Sequence, residues 1–153
     1  MLIRRATIKD LPAISGLSLD LFKYERAFTK TYNLKWTYSK IGQDYFTERI
    51  TKKDGIVFVA QENKKIIGYI CGYVGHWFFR IKPKMAEIDN MFVEPKYRYL
   101  GVGSKLVAVF MKRVKAMGAS RVKVEAIYNN DLARNFYQKN QFHNHTVVLE
   151  SEF

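Results

Sequence analysis

Cysteine occurs once in these 153 residues, at Cys71, so no disulfide can form within the chain. Its neighbours Ile70, Gly72 and Tyr73 read as a buried strand, and a reducing, cytoplasmic setting is the simple expectation. Histidine occurs only as His76, His143 and His145, none at metal-ligand spacing to the cysteine, so no metal site is expected. No apolar run approaches the length of a bilayer crossing, and the opening Met1-Leu2-Ile3-Arg4-Arg5-Ala6 turns polar before any apolar signal core. Membrane association is therefore not expected. Internal repeats and low-complexity segments are also missing. Acidic residues are scarce: 14 against 26 basic ones, for a net charge of +12. That excess favours anionic partners, either nucleic acid through counterion release or an anionic small molecule through its field. The basic residues are scattered, with no long basic tail and no nucleic-acid motif, so a solvated lysine-rich surface is the simpler reading and nucleic acid is not expected as the partner.

What is abundant is material for a core. At 48% hydrophobic and 15% aromatic, the chain suits one domain over residues 1–153. Leu2 to Ala6 reads as a first strand. Thr7 or Asp10 can cap the helix that follows, with Pro12 in its first turn and Leu11, Ile14, Leu17, Leu21 and Phe22 at helical spacing. A second helix is expected near Gln43 to Ile50. Strands over Ile56 to Gln61 and Ile66 to Val74 are joined by the turn Glu62-Asn63-Lys64-Lys65, and Phe78 to Ile81 extends the meander towards Pro83. Glu87 to Val93 is a strand, Gly101 to Met117 a helix ended by Gly118, Arg121 to Ile127 a strand, Asn130 to Lys139 a helix, and Phe142 to Leu149 a final strand.

The most informative stretch is Val93-Glu94-Pro95-Lys96-Tyr97-Arg98-Tyr99-Leu100-Gly101-Val102-Gly103-Ser104-Lys105-Leu106, a strand end, a basic loop with two glycines and a helix start. Glycines let a ligand approach the backbone, and the first amides of a helix sit at the positive end of its dipole without internal partners. Such a place binds phosphate, and Lys96, Arg98 and Lys105 add charge. Two nucleotide motifs fail: position 106 is Leu where a dinucleotide fingerprint needs its third glycine, and Gly-Ser-Lys is the wrong order for a phosphate-binding loop of the Gly-Lys-Ser type. What remains is Arg98-x-x-Gly101-x-Gly103.

With the element order β-α-α-β-β-β-α-β-α-β, this loop resembles the acyl-CoA signature Gln/Arg-x-x-Gly-x-Gly/Ala of the GNAT superfamily of N-acetyltransferases. The opening Ile3 to Leu11 resembles that family's start. A second segment, Asn130-Asp131-Leu132-Ala133-Arg134-Asn135-Phe136-Tyr137, is similar to its Asn-x-x-Ala-x-x-x-Tyr pattern. The departure is Gln141, where the family usually has glycine before Phe142. The resemblance covers nearly the whole chain. It implies an α/β fold with a mixed, mostly antiparallel central sheet flanked by helices, and acetyl transfer from acetyl-CoA to an amine.

Acetyl transfer needs a neutral amine, and neutralising a lysine-like group of pKa ~10.4 at pH 7 costs about 4.6 kcal/mol. A base helps remove that proton. In the strand Glu87 to Val93, Glu87 and Asp89 point to one face two residues apart. Glu87 stands eleven residues before Arg98, where some family members carry a catalytic glutamate, so Glu87 is the favoured base and Asp89 the alternative. The competing reading pairs Glu87 with Lys84 or Arg80 at a strand end. Tyr137 is, by resemblance, the acid that protonates the departing thiolate.

The resemblance also places the cofactor. The backbone of Met91, Phe92 and Val93 would pair with the pantetheine arm as an added strand does. The amides of Arg98, Tyr99, Gly101, Val102, Gly103 and Ser104 would receive the pyrophosphate, and Asn130 would bond the arm near its thiol. The acceptor would lie against the first two helices, where Tyr24, Glu25 and Trp36, with Tyr32 and Tyr38, form an aromatic, partly acidic wall suited to a cation. The same residues suit a core or the surface of a homodimer. The charge of +12 argues against a polyamine acceptor and for an acidic peptide or an amine carrying carboxylates. A non-catalytic acyl-CoA sensor and a basic nucleic-acid-binding protein on a similar fold stand as alternatives.

Overall fold

In the computed structural model, which describes residues 1–153, three antiparallel strand pairings and one short parallel one decide the shape. Strands β1 (Leu2–Arg5), β2 (Gly55–Glu62), β3 (Lys65–His76), β4 (Lys84–Val93) and β5 (Val122–Val124) lie in the spatial order β1-β2-β3-β4-β5. Neighbours are antiparallel except β4 and β5, which run parallel. Helices α1 (Leu11–Glu25), α2 (Lys40–Thr51), α3 (Val102–Ala116) and α4 (Asp131–Lys139) cover the two faces. No helix is long and apolar enough to cross a membrane.

The two-residue period of β2 and β3 divides their side chains between two cores. Ile56, Ala60, Ile70 and Val74 pack with Leu106, Phe110 and Val114 of α3. Val57, Val59, Tyr69 and Cys71 pack with Ile14 and Leu17 of α1 and Phe46 and Ile50 of α2. Each fully buried Leu, Ile or Phe contributes about 1.5–3 kcal/mol of transfer free energy, so both faces are held by many small terms. The entry to α1 is fixed electrostatically. Arg4 grips both oxygens of Asp10 at 2.7 and 2.8 Å, and the Thr7 amide donates to the same carboxylate at 2.8 Å. The Arg4 guanidinium holds the Asp10 carboxyl down at about 2.

Three expectations need correction. Residues 78–81 form no strand; they are a turn between β3 and β4, with Phe78, Phe79 and Ile81 in water. The strand expected over Arg121 to Ile127 is cut to Val122–Val124, because β4 offers a parallel partner only from Ala86 to Ile88. The final strand expected over Phe142 to Leu149 is not formed: from His143 onwards the chain is irregular, exposed and without backbone hydrogen bonds. The observed order is therefore β-α-α-β-β-β-α-β-α.

Candidate functional site

Two structural breaks open the site. The first is between β4 and β5: their pairing ends at Ile88 and Val124, so the edge of β4 from Asp89 to Val93 has no neighbouring strand. The second is a bulge in β4. Cys71 pairs with Asn90 and Gly72 with Ile88, which leaves Asp89 as the extra residue. The bulge also shifts parity. Ala86, Ile88, Met91 and Val93 pack on the α3 side, while Phe92 packs on the α1/α2 side, where Glu87 and Asp89 make their bonds.

The loop after β4 leads straight into α3. Tyr99 and Gly101 take left-handed backbone angles, φ +62° and +77°. A Cβ on Gly101 would meet nothing, so glycine serves the backbone angle there. Gly103 serves close packing instead: a Cβ would come within 2.9 Å of the Phe136 ring and 3.0 Å of Met91 Cε. The amides of residues 99–104 donate to no carbonyl of the chain. A glycine loop, a helix start and a row of free donors beside an open strand edge fit a pyrophosphate and an extended arm, which is the group the loop motif implies.

Arg98 does not simply reach into solvent. Its Nε donates to the Val93 carbonyl at 3.0 Å, and its guanidinium lies 5.1 Å from the Phe92 ring centre and 5.3 Å from that of Tyr24. Tyr24 in turn donates to Asn130 Oδ1 at 3.5 Å. Asn130, 2% exposed, caps α4 by accepting from the Ala133 amide at 3.1 Å. Thus Arg98, Phe92, Tyr24 and Asn130, distant in sequence, converge at the open end of β4. Tyr137 lies on α4 between Phe136 and Phe142, with ring centres 5.2 and 5.5 Å away. Burial, and then the charge of Glu25, raises its phenol well above the ordinary range. The group stays protonated at neutral pH, so it carries a proton to give and cannot serve as a base.

Both carboxylates are held. Asp89 pairs with Arg49 at 2.7 Å and accepts from the Tyr45 hydroxyl at 2.6 Å. Glu87 accepts from the Tyr73 hydroxyl at 3.2 Å and pairs with Lys123 of β5 at 3.1 Å. The ion pair expected with Lys84 or Arg80 is therefore made with Lys123, because the parallel register sets Lys123 directly beside Glu87. Arg49 also covers the Tyr73 ring at 4.2 Å. Tyr45, Arg49, Tyr73 and Lys123 were missing from the sequence-based site. Tyr45 and Arg49 share a helix face at i and i+4, but only the bulge reveals that this face meets Asp89.

Of the acceptor wall, Glu25 ends α1 with no ion-pair partner; burial pushes its carboxyl up to about 7. Its charge acts on Tyr32 and Tyr137. Trp36 packs among Phe22, Tyr45 and Phe46 with ring centres 5.3 to 5.9 Å apart, so its indole supports the wall from inside. Tyr38 is largely exposed at the start of α2. Cys71 is buried, and the absence of solvent raises its thiol far above the reactive range.

Residues 21–142 match the family model described as the acetyltransferase (GNAT) family. An uncharacterised N-acetyltransferase of Methanocaldococcus jannaschii is 30% identical over 147 residues, covering 95% of this chain. The chain spans only 62% of that relative's length. Among solved structures, a mutant of the BH1408 protein of Bacillus halodurans superposes with a TM-score of 0.85 at 19% identity, over 100% of this chain and 99% of that one. The aminoglycoside N-acetyltransferase AAC(6')-Iy in complex with CoA gives a TM-score of 0.77 at 15% identity, over 99% and 93%. At these identities the two structures speak for the fold alone.

Proposed function

The chain belongs to the acetyltransferase (GNAT) family, and we propose that it moves an acetyl group from acetyl-CoA to a primary amine by direct attack in a ternary complex. The single observation that carries this reading is the row of free amides at residues 99–104 opening onto the unpaired edge of β4. The solved neighbour that holds CoA supports the same co-substrate.

In this reading the amides of Tyr99, Gly101, Val102, Gly103 and Ser104 hold the pyrophosphate, with Arg98 adding charge. Met91, Phe92 and Val93 offer backbone groups to the pantetheine arm, and Asn130 holds it near the thiol. Acetyl-CoA supplies an activated thioester carbonyl. Glu87 takes the proton of the incoming ammonium, directly or through water, and the neutral amine attacks the carbonyl carbon. The new C–N bond forms as the C–S bond breaks, Tyr137 donates its phenolic proton to the departing thiolate, and the second proton shed by the acylated nitrogen passes through water to restore the phenol. Asp89, held at one oxygen by Arg49 and Tyr45, is the alternative base.

The acceptor enters along Tyr24, Glu25 and the Trp36-supported wall as a small-molecule amine or a peptide or protein amine. Glu25, when ionised, attracts the ammonium form. The chain's single, buried cysteine suits a cytoplasmic setting. Thiol release from acetyl-CoA with a panel of amines and peptide N-termini tests the proposal. Amine-dependent release supports it. Tight CoA binding with no release under any acceptor would leave the acyl-CoA sensor reading.

A further inference from the structure

We propose that the turn between β3 and β4, with the cations around it, docks this protein onto the surface of an anionic phospholipid bilayer. Phe78 is 84% exposed, Phe79 80% and Ile81 102%. Large apolar side chains gathered in water at one tip mark an interaction surface. Hydrogen bonds hold the tip in shape. The Trp77 amide donates to the Pro83 carbonyl at 2.8 Å, and the Arg80 amide to the Trp77 carbonyl at 2.9 Å. From the end of α3, the Ser120 hydroxyl donates to the carbonyls of Lys82 and Lys84 at 3.2 and 3.0 Å. The apolar side chains are thus presented in place, and little ordering entropy is lost when they enter an apolar medium.

Charge selects the medium. Phe79-Arg80-Ile81-Lys82-Pro83-Lys84 alternates apolar and basic residues. Beside it, Met111, Val114, Ala119 and Val122 line a groove of about 330 Å³ that also carries Lys112, Lys115 and Arg121. Turn and groove are contiguous: Ser120 lines the groove, and a Cβ on Gly118 would stand 3.7 Å from Lys84 Nζ. None of these six cations has a carboxylate partner. The only carboxylates between residues 63 and 124 are Glu87, Asp89 and Glu94, and they are held by Lys123, Arg49 and Lys65.

Free cations around exposed apolar side chains suit a surface that is anionic outside and hydrocarbon within. Headgroup phosphates take the lysines and arginines, and the acyl boundary takes Phe78, Phe79 and Ile81. A nucleic acid would match the charge and stack on the two phenylalanines, but it has nothing to offer Ile81. Docking of this kind needs no spanning segment. It also leaves the loop after β4 free. Lys84 and Met91 are roughly 23 Å apart along β4. The groove lies at the C-terminal end of α3, roughly 22 Å from the amides at its start.

Co-sedimentation of the purified chain with large vesicles tests this. The chain should pellet with vesicles of equal parts phosphatidylcholine and phosphatidylglycerol, stay in solution with phosphatidylcholine alone, and be released as salt is raised. Phe78→Ser combined with Phe79→Ser should weaken binding at least about tenfold at unchanged circular dichroism, since both side chains are exposed in the free protein. Lys82→Gln combined with Lys115→Gln should weaken it and flatten its salt dependence. No pelleting at low salt, or equal pelleting of the double serine variant, overturns the proposal. So does displacement of the vesicles by poly(U) bound through the same residues, which would make this face a nucleic-acid site. A two-copy mass by light scattering that the double serine variant reduces to one copy overturns it as well.

Discussion

Asp89, the extra residue of the β4 bulge, receives Arg49 Nε at 2.7 Å from a helix that ends the first third of the chain. This pair, with the Tyr45 hydroxyl, locks α2 onto β4. Glu87, two residues away, is tied to Lys123 and Tyr73 on its own sheet. The two carboxylates should therefore answer differently to substitution. Asp89→Asn strands a partly buried guanidinium and should lower stability by about 1–3 kcal/mol in urea denaturation. Glu87→Gln should lower stability by less and acetyl transfer by at least tenfold at neutral pH. A reversed pattern would make Asp89 the base.

Tyr137→Phe removes one hydroxyl from a phenol that burial keeps protonated. Turnover should fall about 100-fold, with acetyl-CoA affinity changed less than threefold. Steady-state rates and a calorimetric titration separate the two effects. A loss of affinity comparable to the loss of rate would assign Tyr137 to binding rather than to proton donation.

Glu25 gives the site a pH signature. Burial raises its carboxyl from the ordinary 4.5 to about 7 in the folded chain. Below 4.5 the group is neutral whether folded or unfolded, and its contribution to stability is fully present. As pH rises towards 7 the unfolded chain ionises freely while the folded one resists, so that contribution is lost. Glu25→Gln should remove this loss, on the order of 2 kcal/mol after solvent screening. Urea denaturation of both proteins at pH 5 and pH 8 measures it, and equal slopes with pH would contradict the assignment.

Gln141 sits after α4 with φ +67°, a left-handed angle that costs a residue bearing a Cβ about 1 kcal/mol. Gln141→Gly should therefore stabilise the chain, by somewhat less than that figure because glycine also loosens the unfolded state. A raised melting temperature checks it, and a lowered one would mean the glutamine side chain holds the turn.

Local patterns were readable in the sequence wherever one segment makes its own structure. Gly101 marked the start of α3, Asn130 to Lys139 formed the expected helix, and Glu62 to Lys65 turned where the residues said they would. What escaped is set by long-range pairing. No local pattern shows that Asp89 bulges out, that Arg49 comes to meet it, or that Lys123 rather than Lys84 faces Glu87. Residues 142–149 have strand-forming chemistry without a strand partner in their own chain, since pattern records propensity and not the availability of an edge. Phe78 to Ile81 misled in the same way: apolar residues there face water in a turn.

The proposed function requires the loop from Arg98 to Ser104 to bind an acyl-CoA. Calorimetric titration of acetyl-CoA into the protein and into its Arg98→Ala variant tests it most directly. One site per chain is expected, with affinity reduced at least tenfold in the variant, because charge-assisted bonds to phosphate contribute about 1.5–3 kcal/mol. No heat of binding at high protein concentration, or equal affinity in the two proteins, would contradict it.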